Sequence, residues 1–519
     1  MNKRTFGSLL GATLFAVLVF LPPFETFRVA AQLFAGDQHA AHIDILARSM
    51  QLISGLMGLM VIWWITEVMK LAYTALLPLV ILPLFGVIGL SNNQLHEFSI
   101  INTAKNYFSP VVMLFFGGFL LAGAMRRWKL DRRLTLWILT RGRLAEDSRK
   151  TLFGMMVVSA ISSMWISNTA TCAMLLPLSV GILTYIGAEP GKSNFGKALM
   201  LGIAWAASIG GMGTLIGTPP NGIAVGILNT AFAGDPTYQR ITFLDWMKFG
   251  VPYVILFLPV AWFVLLKVFP PEVSSFEGGK KRLMEEFRTL GPMTRGEKGS
   301  IVVFFCAVVL WLALPFREQL LPQHILAHIT WLDEYTTGLF AGMALFLVPV
   351  SFRERTFLLH WRDFKYVEWG ALAIVGGGIA LSDGMFKTGF AAWLASSFVS
   401  LFGSPSTIEM MFAIVLFIDL LTEVATNSAV ISMMTPVVIA IAQTTGENPI
   451  ALSIAAALAS SMAFMLPVAT PPNALVYGTG YIQLKDMIKA GFILDILGWL
   501  FTIGILMVFG WFVFGVFSL

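Results

Sequence analysis

Two short passages concentrate neutral hydrogen-bonding side chains inside strongly apolar sequence: WISNTATCAMLLP, from Trp165 to Pro177, and VATNSAVISMMTP, from Val424 to Pro436. Hydroxyl and amide oxygens of this kind are hard neutral ligands suited to an alkali or alkaline-earth cation. Amide N–H groups at the start of a half-helix suit an anion instead. Ser163 and Ser167 are four apart, a spacing that on a continuous helix stacks them one turn above the other to face one ion, and Thr422 and Thr426 repeat it. No Asp, Glu, His, Lys or Arg lies between Thr151 and Ile186, and only Lys197 lies between Phe195 and Thr230. The first passage therefore lacks the carboxylate that a proton-coupled carrier places at the centre of its pathway. Near the second passage the only charges are Glu423 and, one turn earlier, Asp419, read as structural hydrogen-bonded carboxylates in preference to proton sites. A dianion stripped of water is costly unless countered, and neither passage holds a cationic side chain. Cations entering with the substrate would supply the countercharge, so these residues point to cation-coupled anion transport.

The elements that must hold these residues are membrane helices. The chain of 519 residues is 57% hydrophobic and 12% charged, with a mean hydropathy of +0.79, and apolar runs long enough to cross a bilayer recur along it. The net charge of +5 sits in short loops between apolar spans, a positive-inside pattern that argues against a nucleic-acid partner. Cys172 and Cys306 both lie in apolar segments and offer neither a disulfide framework nor metal-ligand spacing. Six scattered histidines and two isolated cysteines supply no nucleophile, acid–base pair or metal cluster, so an enzyme is not expected. No organic cofactor is expected either. The basic, then apolar N-terminus reads as a first transmembrane helix in preference to a cleaved signal peptide.

Apolar length and loop charge predict eleven crossings, near 8–23, 47–68, 71–90, 109–125, 195–228, 246–268, 298–315, 336–351, 366–385, 451–482 and 488–515. Segments 151–187 and 407–442, which carry the two motifs, are interrupted by polar residues and proline and read as re-entrant helical hairpins. With both hairpins re-entrant, the basic segments fall on one face. They include Arg126 to Lys150, with nine Lys/Arg against three Asp/Glu, read as an interfacial helix. That face is expected to be cytoplasmic, with the N-terminus inside and the C-terminus external.

Landmarks recur at nearly constant separation. FFGGFLLAGAM at 115–125 lies over VGGGIALSDGM at 375–385 with an offset of 260, Asn168 and Asn427 are 259 apart, and GTPPNGIAVG at 217–226 matches ATPPNALVYG at 469–478 with an offset of 252. This predicts a duplicated unit. The expected organisation is residues 1–46 as a first helix and external loop, 47–268 as the first repeat, 269–297 as a cytoplasmic linker and 298–519 as the second repeat. Five crossings per unit make the second copy inverted. Inverted repeats with broken helices, here 195–228 and 451–482, are the architecture of secondary transporters that work by alternating access. A channel also uses broken helices, but it usually builds one pore from symmetric subunits or parallel repeats. The paired glycines are expected to be close-packing sites. The fold class expected is thus an all-α polytopic membrane protein of two inverted-topology repeats.

The paired Ser-Asn-Thr and Thr-Asn-Ser motifs, the twin Thr-Pro-Pro-Asn segments and the glycine-rich run before each hairpin resemble the divalent anion/sodium symporter family, the di- and tricarboxylate and sulfate carriers. The resemblance implies a first sodium site at Ser163, Ser167, Asn168 and Gly217 and a second at Thr422, Thr426, Asn427 and Ala469. It implies that substrate carboxylates contact Asn168, Thr169, Asn427 and Ser428, with Thr218 and Thr470 close by. By the same resemblance the protein is a homodimer in a bacterial inner membrane, with Na+ as coupling ion and a C4 dicarboxylate such as succinate, malate or fumarate as substrate. Each copy would contribute a scaffold part and a moving transport part. Sodium-independent exchange, and sulfate or citrate as substrate, stay open within the family. The second motif departs from the pattern by exchanging the positions of Ser and Thr around Asn427.

Overall fold

The computed structural model describes residues 2–514 except 142–146, 234, 236–237, 273–278 and 404. Part of the basic segment 126–150, part of the linker 269–297 and the last residue of the final span therefore lie outside the described residues. The fold is helical apart from two short antiparallel hairpins, Ile88–Ser91 with Gln94–Glu97 and Pro349–Ser351 with Thr356–Phe357. Among the described residues nine helices are long and apolar enough to cross a membrane. Two expected spans are shorter. Segment 71–90 breaks into Leu71–Ala75 and Leu77–Leu84, with Pro78 and Pro83 in the second piece, and 336–351 gives a helix only over Glu334–Ala344. The region read as an external loop at 24–46 contains the helix Glu25–Ala35.

Each hairpin has two arms joined by a tip of two or four residues. The first runs through Ser148–Ser163 and Asn168–Tyr185, the second through Thr407–Val424 and Asn427–Thr445. Asp147 and Ser406 cap the first arms by accepting backbone amides, and each second arm carries an internal proline, Pro177 and Pro436. The spans after the hairpins are broken as expected. Asn194–Gly211 gives way to a turn and then Pro219–Ala231, and Pro449–Ala459 to a turn and then Pro471–Tyr477. Proline at the first helical position costs no hydrogen bond there and fixes where each helix restarts.

The chain divides into two compact units, each drawing on both halves of the sequence. One comprises Met1–Val112, Gly222–Arg240 and Trp369–Ser460. In it the second hairpin packs on Pro449–Ala459, and Asn427–Thr445 packs on Trp369–Thr388 and Phe390–Phe402. Its core is aliphatic, with Ile379, Leu381, Val415, Ile431, Ile439 and Leu452 buried. The other comprises Met113–Asn221, Ile241–Glu368 and Ser461–Leu519. There the first hairpin packs on Asn194–Gly211, which also contacts Phe243–Val268 and Pro471–Tyr477. Aromatic rings fill this core: Trp205 and Phe464 meet edge to face, and Phe243 stacks on Trp311 with centroids 4.5 Å apart. The paired glycines are packing sites: a Cβ on Gly117 would lie 2.1 Å from the Gly338 carbonyl.

Candidate functional site

The first-copy site is assembled within the second of these units. The first arm ends at Ser163, and Ser167 occupies the N-cap of the next helix. The two serines are therefore not on one helix and do not stack as the four-residue spacing suggested. Ser163 Oγ instead donates to Asn168 Oδ1 at 2.7 Å, and the Ser167 hydroxyl donates to the carboxylate of Glu368. Thr214 donates to the Met164 carbonyl and so ties the broken span's turn to the hairpin tip. Gly211 passes so close that a Cβ there would lie 2.5 Å from Asn168 Oδ1. Gly217 and Thr218 are buried in the turn just before Pro219.

The second copy repeats this chemistry in the other unit. The first arm ends at Val424, Thr426 is an N-cap, and Thr422 Oγ1 donates to Asn427 Oδ1 at 2.9 Å and to the Ser460 carbonyl at 3.0 Å. Thr422 and Thr426 therefore fail to stack for the same reason. Ser428 is the second residue of the helix that Asn427 opens. Asp419 and Glu423 are buried on one face of the first arm. Of the residues assigned to the second cation, Thr422, Thr426 and Asn427 belong to this unit and Ala469 to the other.

Ala469 and Thr470 lead into Pro471–Tyr477, which lies against the second arm of the first hairpin, and Cys172 Sγ donates to the Pro472 carbonyl at 3.7 Å. Thr470 thus shares a unit with Asn168, Thr169 and Thr218. Asn221 and Asn473, quoted in the repeated motif but given no role, prove central. Asn221 Nδ2 donates to the carbonyls of Gly211 and Thr214 at 3.0 and 2.8 Å, and Asn473 Nδ2 to those of Ala463 and Leu466 at 2.9 and 3.1 Å. Each side chain closes its turn with two bonds. Each also leaves Oδ1 buried with no hydrogen-bond partner among the described residues. An unpaired buried oxygen costs about 1–3 kcal/mol, so two in equivalent places call for a ligand.

Both hairpin tips leave helix N-termini open. Neither Ser167 nor Thr426 makes a side-chain cap, although each has the residue type that normally would, and Asp147, Ser193, Ser406 and Thr470 do cap the helices they precede. The first amides of Asn168–Tyr185 and Asn427–Thr445 are not taken up by their N-cap side chains and carry the positive end of the helix dipole. Ser167, Asn168, Thr169, Asn427 and Ser428 are all half-buried. Lys197, the one charge in the first broken span, pairs with Asp486 at 3.1 Å. A cavity of about 860 Å³ runs along the first hairpin's second arm from Ala170 to Ile186, its charged lining being Arg126, Lys129 and Arg132 with Asp131 and Glu286, the last paired with Arg132 at 2.6 Å. Glu368 was missed because nothing in the sequence links it to a serine 201 residues away. Asn221 and Asn473 were within reach, since each stands four residues after the glycine or alanine of a repeated motif.

Comparison with known proteins bears on this arrangement. A family described as the sodium:sulfate symporter transmembrane region matches residues 42–516. The chain is 34% identical over 447 residues to the sodium-dependent dicarboxylate transporter SdcS of Staphylococcus saprophyticus, covering 84% of this chain and 81% of that protein. It is 34% identical over 439 residues to SdcS of Staphylococcus aureus, covering 83% and 80%. Among solved structures it is similar in fold to the YdaH transporter of Alcanivorax borkumensis, with a TM-score of 0.53 and 14% identity over 88% of this chain and 99% of that one. It is likewise similar to MtrF of Neisseria gonorrhoeae, with a TM-score of 0.54 and 14% identity over 88% and 97%.

Proposed function

This chain belongs to the sodium:sulfate symporter family, a family of membrane transporters and not of enzymes, and from that premise we propose that it carries C4 dicarboxylates such as succinate, malate and fumarate, coupled to sodium. The observation that carries this reading is the pair of open hairpin N-termini, each beginning with an asparagine whose Oδ1 is held by a hydroxyl from the preceding arm. Two positive helix ends, one per copy, match an anion with a carboxylate at each end. The names of the relatives at 34% identity support sodium and dicarboxylate together.

In this reading the substrate carboxylates take the amides and side chains at Asn168, Thr169, Asn427 and Ser428, with Thr218 and Thr470 beside them. One sodium ion is held by oxygens of Ser163, Ser167, Asn168 and Gly217, the other by Thr422, Thr426, Asn427 and Ala469. The residues present fit such ions: each site offers a hydroxyl and an amide oxygen already within 2.9 Å of one another, and the carboxyamide oxygens of Asn221 and Asn473 are buried without a partner among the described residues. Two monovalent cations neutralise a dianion, which lowers the cost of carrying it through a low-dielectric site.

The remaining features of the proposal are alternating access by two inverted repeats, 47–268 and 298–519, a cytoplasmic N-terminus with an external C-terminus, a homodimer, and a bacterial inner membrane. Asn168→Ala and Asn427→Ala are each expected to lower labelled-succinate uptake into proteoliposomes by at least about a hundredfold, because each removes a charge-assisted hydrogen bond to a carboxylate and an oxygen ligand of a cation. Uptake left intact in well-folded protein for both variants would remove the site assignment.

A further inference from the structure

Neither the proposed cation sites nor the substrate site accounts for the bond between Ser167 and Glu368. Ser167 occupies an N-cap, where its hydroxyl would ordinarily accept an amide of the first turn, yet it donates its proton to Glu368 instead. Arg126 approaches the same carboxylate oxygen at 4.0 Å and lines the cavity along the hairpin's second arm. The Glu368 side chain is 35% and that of Arg126 26% exposed, so the pair is only partly screened by solvent. All three residues belong to one compact unit.

The repeat provides an internal comparison. The offset of 260 that superimposes the glycine-rich helices puts Phe108 at the place of Glu368, with Ser109 next to it, and neither is acidic. In the second copy Thr426 Oγ1, the counterpart of Ser167 Oγ, is buried with no hydrogen-bond partner among the described residues. The second hairpin carries its own acids at Asp419 and Glu423, whereas the first has none from Thr151 to Ile186. The two copies thus differ in where negative charge reaches the tip, and in the first copy it arrives from a residue 201 positions away in sequence.

Resting on the proposed sodium coupling, we infer that Glu368 is a positioning residue for the first cation site. By accepting the hydrogen bond of the Ser167 hydroxyl it leaves the lone pairs of that oxygen to a cation, and it adds negative charge next to a site built otherwise from neutral oxygens. A hydroxyl donating to a carboxylate is a better cation ligand than one donating to an amide, because the charge-assisted bond polarises its oxygen. Glu368 does not itself need to touch the ion. Arg126, 4.0 Å from the same carboxylate oxygen, attracts Glu368 and offsets only part of its charge.

The test measures sodium binding apart from transport. The purified full-length protein in detergent is titrated with NaCl at constant ionic strength, with choline chloride replaced in turn, and the rise in thermal midpoint gives a sodium half-saturation. Glu368→Ala is expected to raise that half-saturation about tenfold, and Glu368→Gln, which keeps an acceptor for Ser167 but loses the charge, about threefold. The midpoint in choline alone is expected to stay close to that of the unaltered protein, which a merely structural role for Glu368 would not allow. An unchanged or tighter sodium half-saturation in Glu368→Ala, while the unaltered protein responds to sodium, would overturn the inference and leave the proposed function standing. No sodium response in the unaltered protein would overturn both.

Discussion

At the scale of single residues the site depends on two neighbouring glycines that do different work. A Cβ at Gly210 would lie 2.3 Å from the carbonyl oxygen of Ala160, so the clash is with backbone of the adjacent hairpin arm. A Cβ at Gly211 would meet the amide end of Asn168, a side chain that can swing away. Gly210→Ala is therefore expected to cost about 1–3 kcal/mol of stability by overpacking, seen as a lower thermal midpoint. Gly211→Ala is expected to leave that midpoint nearly unchanged and to raise the sodium half-saturation of uptake about tenfold by displacing Asn168 Oδ1 from Ser163. Equal loss of stability in the two variants would show that Asn168 is not free to move. The sequence displayed both glycines but gave no sign of this division, because it depends on which atoms of the first hairpin approach each one. The same limit defeated the four-residue spacing of Ser163 and Ser167. That spacing implied a helix running through both, and the helix stops at Ser163.

At the scale of elements, a helix start that bears on the site is held by a residue far along the chain. The first amides of Asn194–Gly211, at Asn194 and Phe195, both donate to the carboxylate of Glu272, in addition to the cap that Ser193 supplies. Burial would raise the Glu272 carboxyl, but the bonds from the Asn194 and Phe195 amides, with those from its own amide and the Ser193 hydroxyl, together outweigh it and hold the group below its ordinary range. A carboxyl lowered by folding stabilises the folded state above its ordinary range, and the stabilisation disappears as pH falls through the lowered value. The thermal midpoint of the unaltered protein should thus drop between about pH 5 and pH 3, and Glu272→Gln should be less stable at pH 7 and show a shallower drop. Parallel pH profiles for the two proteins would contradict this.

Hairpins and broken spans were readable in the sequence because polar residues and proline stand out against an apolar background. The β-hairpins at 88–97 and 349–357 were not, since Ile88–Ser91 and Pro349–Ser351 lie at the end of apolar runs that read as membrane spans. Once seen, they add a landmark that keeps the offset near 260 and extends the repeat toward its start.

At the scale of the whole molecule, the two copies agree down to single hydrogen bonds. The hydroxyl-to-asparagine bond at each tip and the twin bonds from Asn221 and Asn473 recur with the same atoms. The three sequence landmarks pointed to these matched positions, because they report on covalent order. The bond from Ser167 to Glu368, which breaks the symmetry, depends on tertiary approach and left no trace in spacing. Two matched tips, each with a hydroxyl-to-asparagine bond and a helix N-terminus without a side-chain cap, support the proposed sodium-coupled dicarboxylate transport. The most direct measurement is labelled-succinate uptake into proteoliposomes, with and without an inward sodium gradient and with and without succinate inside. Uptake into vesicles lacking internal succinate, dependent on external sodium, is the predicted result. Uptake that requires internal succinate and ignores sodium would contradict the account.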